Sequence, residues 1–198
     1  RDFNGDVLSG AAQRNVTVSL ADGATTSVIA GGNLQMVGEA GNETVVQNQG
    51  SGNYNFIVSG GGINFQHYSF SNLTNAGLDI SGVPAITSLD NGSFFVEDNT
   101  ANAITLAVEA LDANASLLIL NTDFATATPA TTGTNVVLSA TTTNSWTFRN
   151  SGGGIAGEDD DDDAEPTNCG AIRWDDSTCL LTEQTEYRWR NDDGGIGV

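Results

Sequence analysis

The sequence contains no lysine and a single histidine, His67. Without lysine there is no Schiff-base chemistry, no phosphate-loop lysine and no lysine–asparagine cross-link. With one histidine there is no multi-histidine metal centre. Arginine is the only strong base, and Lys plus Arg total 6 against 25 acidic residues, for a formal net charge of −19 over 198 residues. A field of that sign repels phosphate backbones, so nucleic acid is not an expected partner. No apolar run approaches the ~20 residues that a bilayer-crossing helix needs, so membrane insertion is not expected either. Helical signal is scarce as well. Gly, Asn and Thr interrupt nearly every window in which apolar residues would recur at i, i+3 and i+4.

What is present is a 38% hydrophobic fraction, enough to build the core of one domain with a small appendage and too much for a wholly disordered chain. Apolar segments are short and bounded by Gly, Asn or Asp. Strands are predicted at Val16–Leu20, Thr44–Gln47, Tyr54–Val58, Ile63–Phe65, Leu78–Ile80, Phe94–Val96, Leu117–Leu120, Val136–Leu138 and Trp146–Phe148. The segment 103–113 alternates through Ile104, Leu106 and Val108 and is also read as a strand.

Spacing separates the all-β architectures. Phe70, Phe95, Phe124 and Phe148 each close a short stretch (YSF, SFF, TDF, WTF), at separations of 25, 29 and 24 residues. Aliphatic residues lie upstream of the first three (Ile63, Leu89, Leu118), and aliphatic strands follow them downstream. A repeating unit of about 25 residues with three short strands is one coil of a parallel β-helix, in which equivalent side chains stack into ladders. The four phenylalanines are therefore expected to form one interior ladder. Asn4-Gly5, Asp22-Gly23 and Asn91-Gly92 are also type I′ hairpin candidates, which keeps a β-sandwich as the alternative fold.

The stretch INFQHYSFSNLTNAGLDISG, from Ile63 to Gly82, resembles right-handed parallel β-helix repeats of large secreted bacterial surface proteins, adhesins and autotransporter-like passengers among them. Phe70, Asn72, Gly77 and Leu78 carry the repeat's order of strand, phenylalanine, polar turn and Gly-led strand. WTFRNSGGGIAGEDDDDD followed by IRW is similar to the end of such a helix, so the likeness spans residues 50–175. TEQTEYRWRNDDGG, from Thr182 to Gly195, resembles a short module that recurs between domains of long secreted proteins. The resemblance implies an extracellular, cell-surface location and a mostly non-enzymatic role, with a minority of members cleaving polysaccharides.

The expected organisation is thus all-β: a right-handed parallel β-helix, or solenoid, at 51–157, N-terminal strands or a cap at 1–50, and a disulfide-clasped module at 158–198. Arg1 is not an initiator methionine, so the chain is read as a processed or excised piece. Cys169 and Cys179 are the only cysteines. They are too few for a zinc site and are expected to form a disulfide in an oxidising compartment, with free thiols as the bland reading.

The acidic run Glu158, Asp159, Asp160, Asp161, Asp162 and Asp163 is the densest set of hard oxygen donors and suits Ca²⁺. Pairing with Arg173, Arg188 and Arg190, or plain solvation, are the competing readings. Tyr187, Arg188, Trp189 and Arg190 alternate aromatic and basic side chains and, with Trp174, are the candidate interface. A basic, aromatic strand on an otherwise acidic body complements another copy, so head-to-tail self-association into a filament is expected. Folding back onto its own body is the other reading. Sequons begin at Asn15, Asn42, Asn72, Asn91 and Asn114. The abundance of Asn, Ser and Thr generates such tripeptides by chance, so glycans follow only where the source glycosylates asparagine.

Catalytic constellations are thin. The carboxylates Asp79, Asp90, Glu97, Asp98, Glu109 and Asp123 are scattered, and no basic residue except His67 lies between Arg14 and Arg149. His67, beside Tyr68, is read as a packing or hydrogen-bonded residue and not as a general base. No enzyme is expected. The alternative function is a carbohydrate-binding or polysaccharide-cleaving module, which would need Asp90, Asp98, Asp123 and Tyr68 along one lateral groove.

Overall fold

The computed structural model describes residues 2–4, 16–96, 101–126, 133–138, 140, 142–153 and 170–174. Cys169 and Cys179 with their expected disulfide, the acidic run 158–163, the expected strand 187–190, Asn15 and Asp98 lie outside them. Two strands, β1 (Asp2–Asn4) and β2 (Thr17–Leu20), precede about five turns of a parallel β-solenoid. The first turn is β3 (Thr25–Val28), β4 (Asn33–Val37) and β5 (Thr44–Asn48). The second is β6 (Tyr54–Val58) and the long β7 (Gly62–Ser71), and the third is β8 (Leu73–Ile80) and β9 (Ala85–Val96). In these two turns one bent strand serves the second and third faces together. The fourth turn holds β10 (Ile104–Leu106), α1 (Val108–Ala113), β11 (Leu118–Leu120) and β12 (Asp123–Thr126). The fifth holds β13 (Val136–Leu138), β14 (Trp146–Arg149) and β15 (Gly152–Gly153), after which β16 (Ile172–Trp174) adds to the second face.

Every ladder between these strands is parallel, which excludes the β-sandwich of hairpins. The first face stacks β3, β6, β8, β10 and β13. Its inward columns are Thr26, Phe56, Leu78, Ile104, Val136 and Val28, Val58, Ile80, Leu106, Leu138. The second face carries Met36, Phe65 and Leu89, then Ile119, Phe148 and Trp174. The third carries Val46, Phe70, Phe94 and Phe124. Period-two alternation sends one residue in two inward, and the parallel register places like side chains above one another. Phe70 and Phe94 stack at 5.9 Å and 18°, and Phe94 and Phe124 at 5.8 Å and 11°. Each such contact contributes ~0.5–1.5 kcal/mol beyond the area that it buries.

Three expectations are corrected. The aromatic of the third turn is Phe94, 1% exposed, while Phe95 is 38% exposed and faces outward. The two are neighbours in one strand, so they point to opposite faces. Phe148 belongs to the second-face column, between Ile119 and Trp174, and meets Phe124 only across the interior at 5.9 Å. Its spacing from Phe124 matches a coil length by coincidence of loop lengths. Finally, the alternation after Ile104 ends at Leu106, and Val108–Ala113 is α1. Glu109 occupies its first turn, Ala110 and Leu111 are buried, and Leu and Ala favour helix. A helix this short depends on packing. Asn114 locks its end by donating Nδ2 hydrogens to Ala110 O and Pro84 O, at 2.9 Å each, and accepting from Ile86 N at 3.0 Å.

Candidate functional site

The corner between the second and third faces turns on a single residue per coil. His67, Asn91, Asn121 and Asn150 hold this position with φ of 50°, 55°, 55° and 54°. Asn and His are both enriched in the left-handed region, Asn because its short amide bonds locally. Here the amides also bond between coils. Asn121 Nδ2 donates to Asn91 Oδ1 at 2.9 Å, and Asn150 Nδ2 donates to Asn121 Oδ1 at 3.4 Å. His67 lies opposite Asn91 in the parallel register and adds no hydrogen bond to this row.

The residue after the corner points inward, and here size matters. Tyr68 is buried and its hydroxyl donates to Leu89 O at 3.2 Å. A side-chain carbon at Gly92, its partner in the next coil, would overlap the Tyr68 ring. Burial, assisted by the negative charge of Asp90, pushes the Tyr68 phenol well above its usual value. Tyr68 is thus a core residue and offers no surface platform for a sugar. Asp90 accepts from Ser88 Oγ at 2.8 Å and from Leu120 N at 2.9 Å, a structural engagement between coils.

Outside this corner runs a groove of about 440 Å³. Its floor and sides include Glu43, His67, Ser69, Asn91, Ser93 and Asn121, drawn from the first four turns. One end is walled by the segment between β4 and β5, closed by a Glu39–Asn42 bridge and by Gly41 N donating to Glu43 Oε1 at 3.1 Å. Among the described residues, no hydrogen bond engages the side chains of His67, Ser69 or Ser93.

A second hollow of about 400 Å³ opens at the N-terminal end of the coils, between Val18, Leu20, Val28, Leu34, Met36 and Phe56. It adjoins β3, the last strand of the first-face sheet. Asn55 N bonds Ala24 O, and Ser59 N bonds Val28 O. This phase directs the N–H groups of Thr25 and Ser27 away from β6, toward an edge that no described strand covers. That edge carries no charge and no proline, the devices that normally blunt one.

The expected site residues that fall among the described ones lie at different places in the fold. Trp174, an expected interface residue, is 3% exposed and stacks on Phe148 at 4.9 Å, so its ring completes the interior column. Among the sequons, Asn114 has both amide hydrogens committed to backbone carbonyls, and Asn91 is the acceptor for Asn121. Asn42 lies in the bridge that walls the groove, and Asn72 takes φ 62° between β7 and β8. No group of three His, Cys, Asp or Glu placed to hold a metal occurs among the described residues. The corner row was missed in the sequence because asparagines abound. The usable signal was their recurrence at Asn91, Asn121 and Asn150, each just after a strand.

The fold defines the chain as a parallel β-solenoid in which, among the described residues, no strand covers the outer edge of β3. Comparison with known protein families, with curated proteins and with solved structures finds no match to this chain.

Proposed function

We propose that this chain is a non-catalytic, extracellular structural or adhesive protein whose copies join end to end. The observation that carries the reading is the edge of β3, which no described strand covers, beside an apolar hollow. A parallel solenoid is polar along its axis, so a strand docking there from the trailing end of a second copy continues the same ladder. Repeated, that contact does not close and gives a filament. The charge pattern agrees: Arg173, Arg188 and Arg190 make up half of the arginines, near the C-terminal end of an acidic chain. In this reading Tyr187, Arg188, Trp189 and Arg190 supply the docking strand. Cys169 and Cys179 clasp its base, and the run Glu158–Asp163 binds Ca²⁺ at the joint.

Sedimentation and negative-stain electron microscopy test it. Concentration-dependent rods are expected, and Ser27→Pro, which removes one outward N–H without touching the bonds to β6, should weaken association at least tenfold. Deleting residues 187–198 should abolish it. A chain that stays monomeric in millimolar calcium at high concentration overturns the reading.

A further inference from the structure

We propose that copies of this chain join in phase. In that joint β16 of one copy pairs with β1 of the next, and residues 187–190 of the first lie beside β3 of the second. The joint rests on the end-to-end reading above and fixes its register. Seven strands succeed one another on the second face: β1, β4, β7, β9, β11, β14 and β16. Among the described residues no strand pairs with the outer edge of the first or of the last. The column one residue before the inward one runs through Gln35, Asn64 and Ser88, then through Leu118, Thr147 and Arg173. Asp2 is the register partner of Gln35, so this column starts at an acid and ends at an exposed arginine. Phe3 is the register partner of Met36 and Trp174 of Phe148, so the next column has an aromatic residue at each end. Pairing β16 with β1 sets Arg173 against Asp2 and Trp174 against Phe3, in the register that the other coils already use. Opposite charges on neighbouring strands favour that register, and like charges oppose it.

The length of chain after β16 supports the same phase. From the inward residue of the second face to the next inward column of the first face, the chain takes 20 residues between Met36 and Phe56 and 13 between Phe65 and Leu78. It takes 15 between Leu89 and Ile104 and 17 between Ile119 and Val136. The same intervals counted from Trp174 reach residues 187–194, and the two shortest fall on Tyr187 and Trp189. Strand alternation turns both rings inward and leaves Arg188 and Arg190 outward. A first-face strand formed there lies one coil beyond β16. That is the place which the β16–β1 pairing leaves beside β3 of the next copy, so a single axial shift of seven coils satisfies both contacts. The two rings then fill the hollow of about 400 Å³ between Val18, Val28, Met36 and Phe56. The two arginines face a chain of net charge −19.

Electron microscopy and fibre diffraction of the assembled full chain read the phase directly. Seven coils spaced at ~4.8 Å give an axial rise of ~34 Å per copy, with an unbroken ~4.8 Å strand reflection. Asp2→Arg or Arg173→Asp alone should raise the concentration needed for rods about tenfold, and the two together should restore it to within about threefold of the parent. A variant that merely fails to fold cannot give that rescue. Rods of another rise, rods indifferent to both single reversals, or a double reversal no better than the single ones overturn the in-phase joint and leave end-to-end assembly standing. A parent chain that forms no rods overturns both.

Discussion

Two columns of side chains each cross three coils of this solenoid, and they are held by different physics. Inside, Phe70, Phe94 and Phe124 form a stack whose members are interchangeable with other apolar groups of similar volume, as Phe65, Leu89 and Ile119 on the neighbouring face illustrate. Outside, Asn91, Asn121 and Asn150 form a row in which volume is irrelevant and backbone conformation decides. The interior column excludes water over a large area. The corner column satisfies a backbone geometry and a chain of amide bonds.

Truncating the interior should therefore cost most. Phe94→Ala is expected to destabilise by ~3–5 kcal/mol in urea unfolding. Phe95→Ala, one residue along and outward, should stay within ~0.5 kcal/mol. Equal losses would mean that the two rings had been assigned to the wrong faces.

The point where the columns meet gives the next effect. Gly92→Ala should lose ~1–3 kcal/mol by overpacking against Tyr68. In a Tyr68→Ala background the same change should be close to neutral, a coupling that a double-mutant cycle reads directly. At the corner itself, Asn121→Ala must hold φ 55° with an ordinary side chain and should lose ~1–2 kcal/mol. Asn121→Gly keeps the backbone free and forfeits only the amide bonds, so it should lose less. If glycine is the worse of the two, the amide row outweighs the backbone preference.

The smallest effect lies on the outward rows, where charge replaces both. Asp79, between Ile57 and Thr105 on the first face, is partly desolvated, which pushes its carboxyl above the usual carboxylate range. A carboxyl that holds its proton more tightly folded than unfolded favours the fold at low pH. That contribution is lost as pH rises through its folded value. Asp112 has the opposite sign, since hydrogen bonds from Thr142 and Asn144 lower its value. Its contribution is present above the ordinary carboxylate value and fades as pH falls. Asp79→Asn should raise the melting temperature at neutral pH by no more than about 2 °C. It should also flatten the acid side of the stability profile.

The strands, the coil period and the presence of an aromatic ladder were legible in the residues, because period-two alternation and recurring phenylalanines are local patterns. Choosing Phe94 over Phe95 was not, since a one-residue slip leaves the pattern intact and inverts both faces. The helix 108–113 escaped for a related reason: its first residues continue an alternation that ends only through tertiary contacts, the burial of Ala110 and Leu111 and the bonds of Asn114 to Pro84 and to Ile86 in β9. The groove was legible only in pieces. His67 stood out as the lone imidazole, but nothing in its own segment places it beside Glu43 and Asn121.

Composition and alternation alone settled that this is an acidic, strand-built chain that repeats on itself, because burial of every second residue and the sign of the charge need no partner to be read. Tertiary structure decided which rings share a column, which corner residues bond across coils, and that residues from four turns line one groove. Those facts depend on the lengths of the loops between strands, which shift the register of one coil over the next and leave no periodic trace in the sequence.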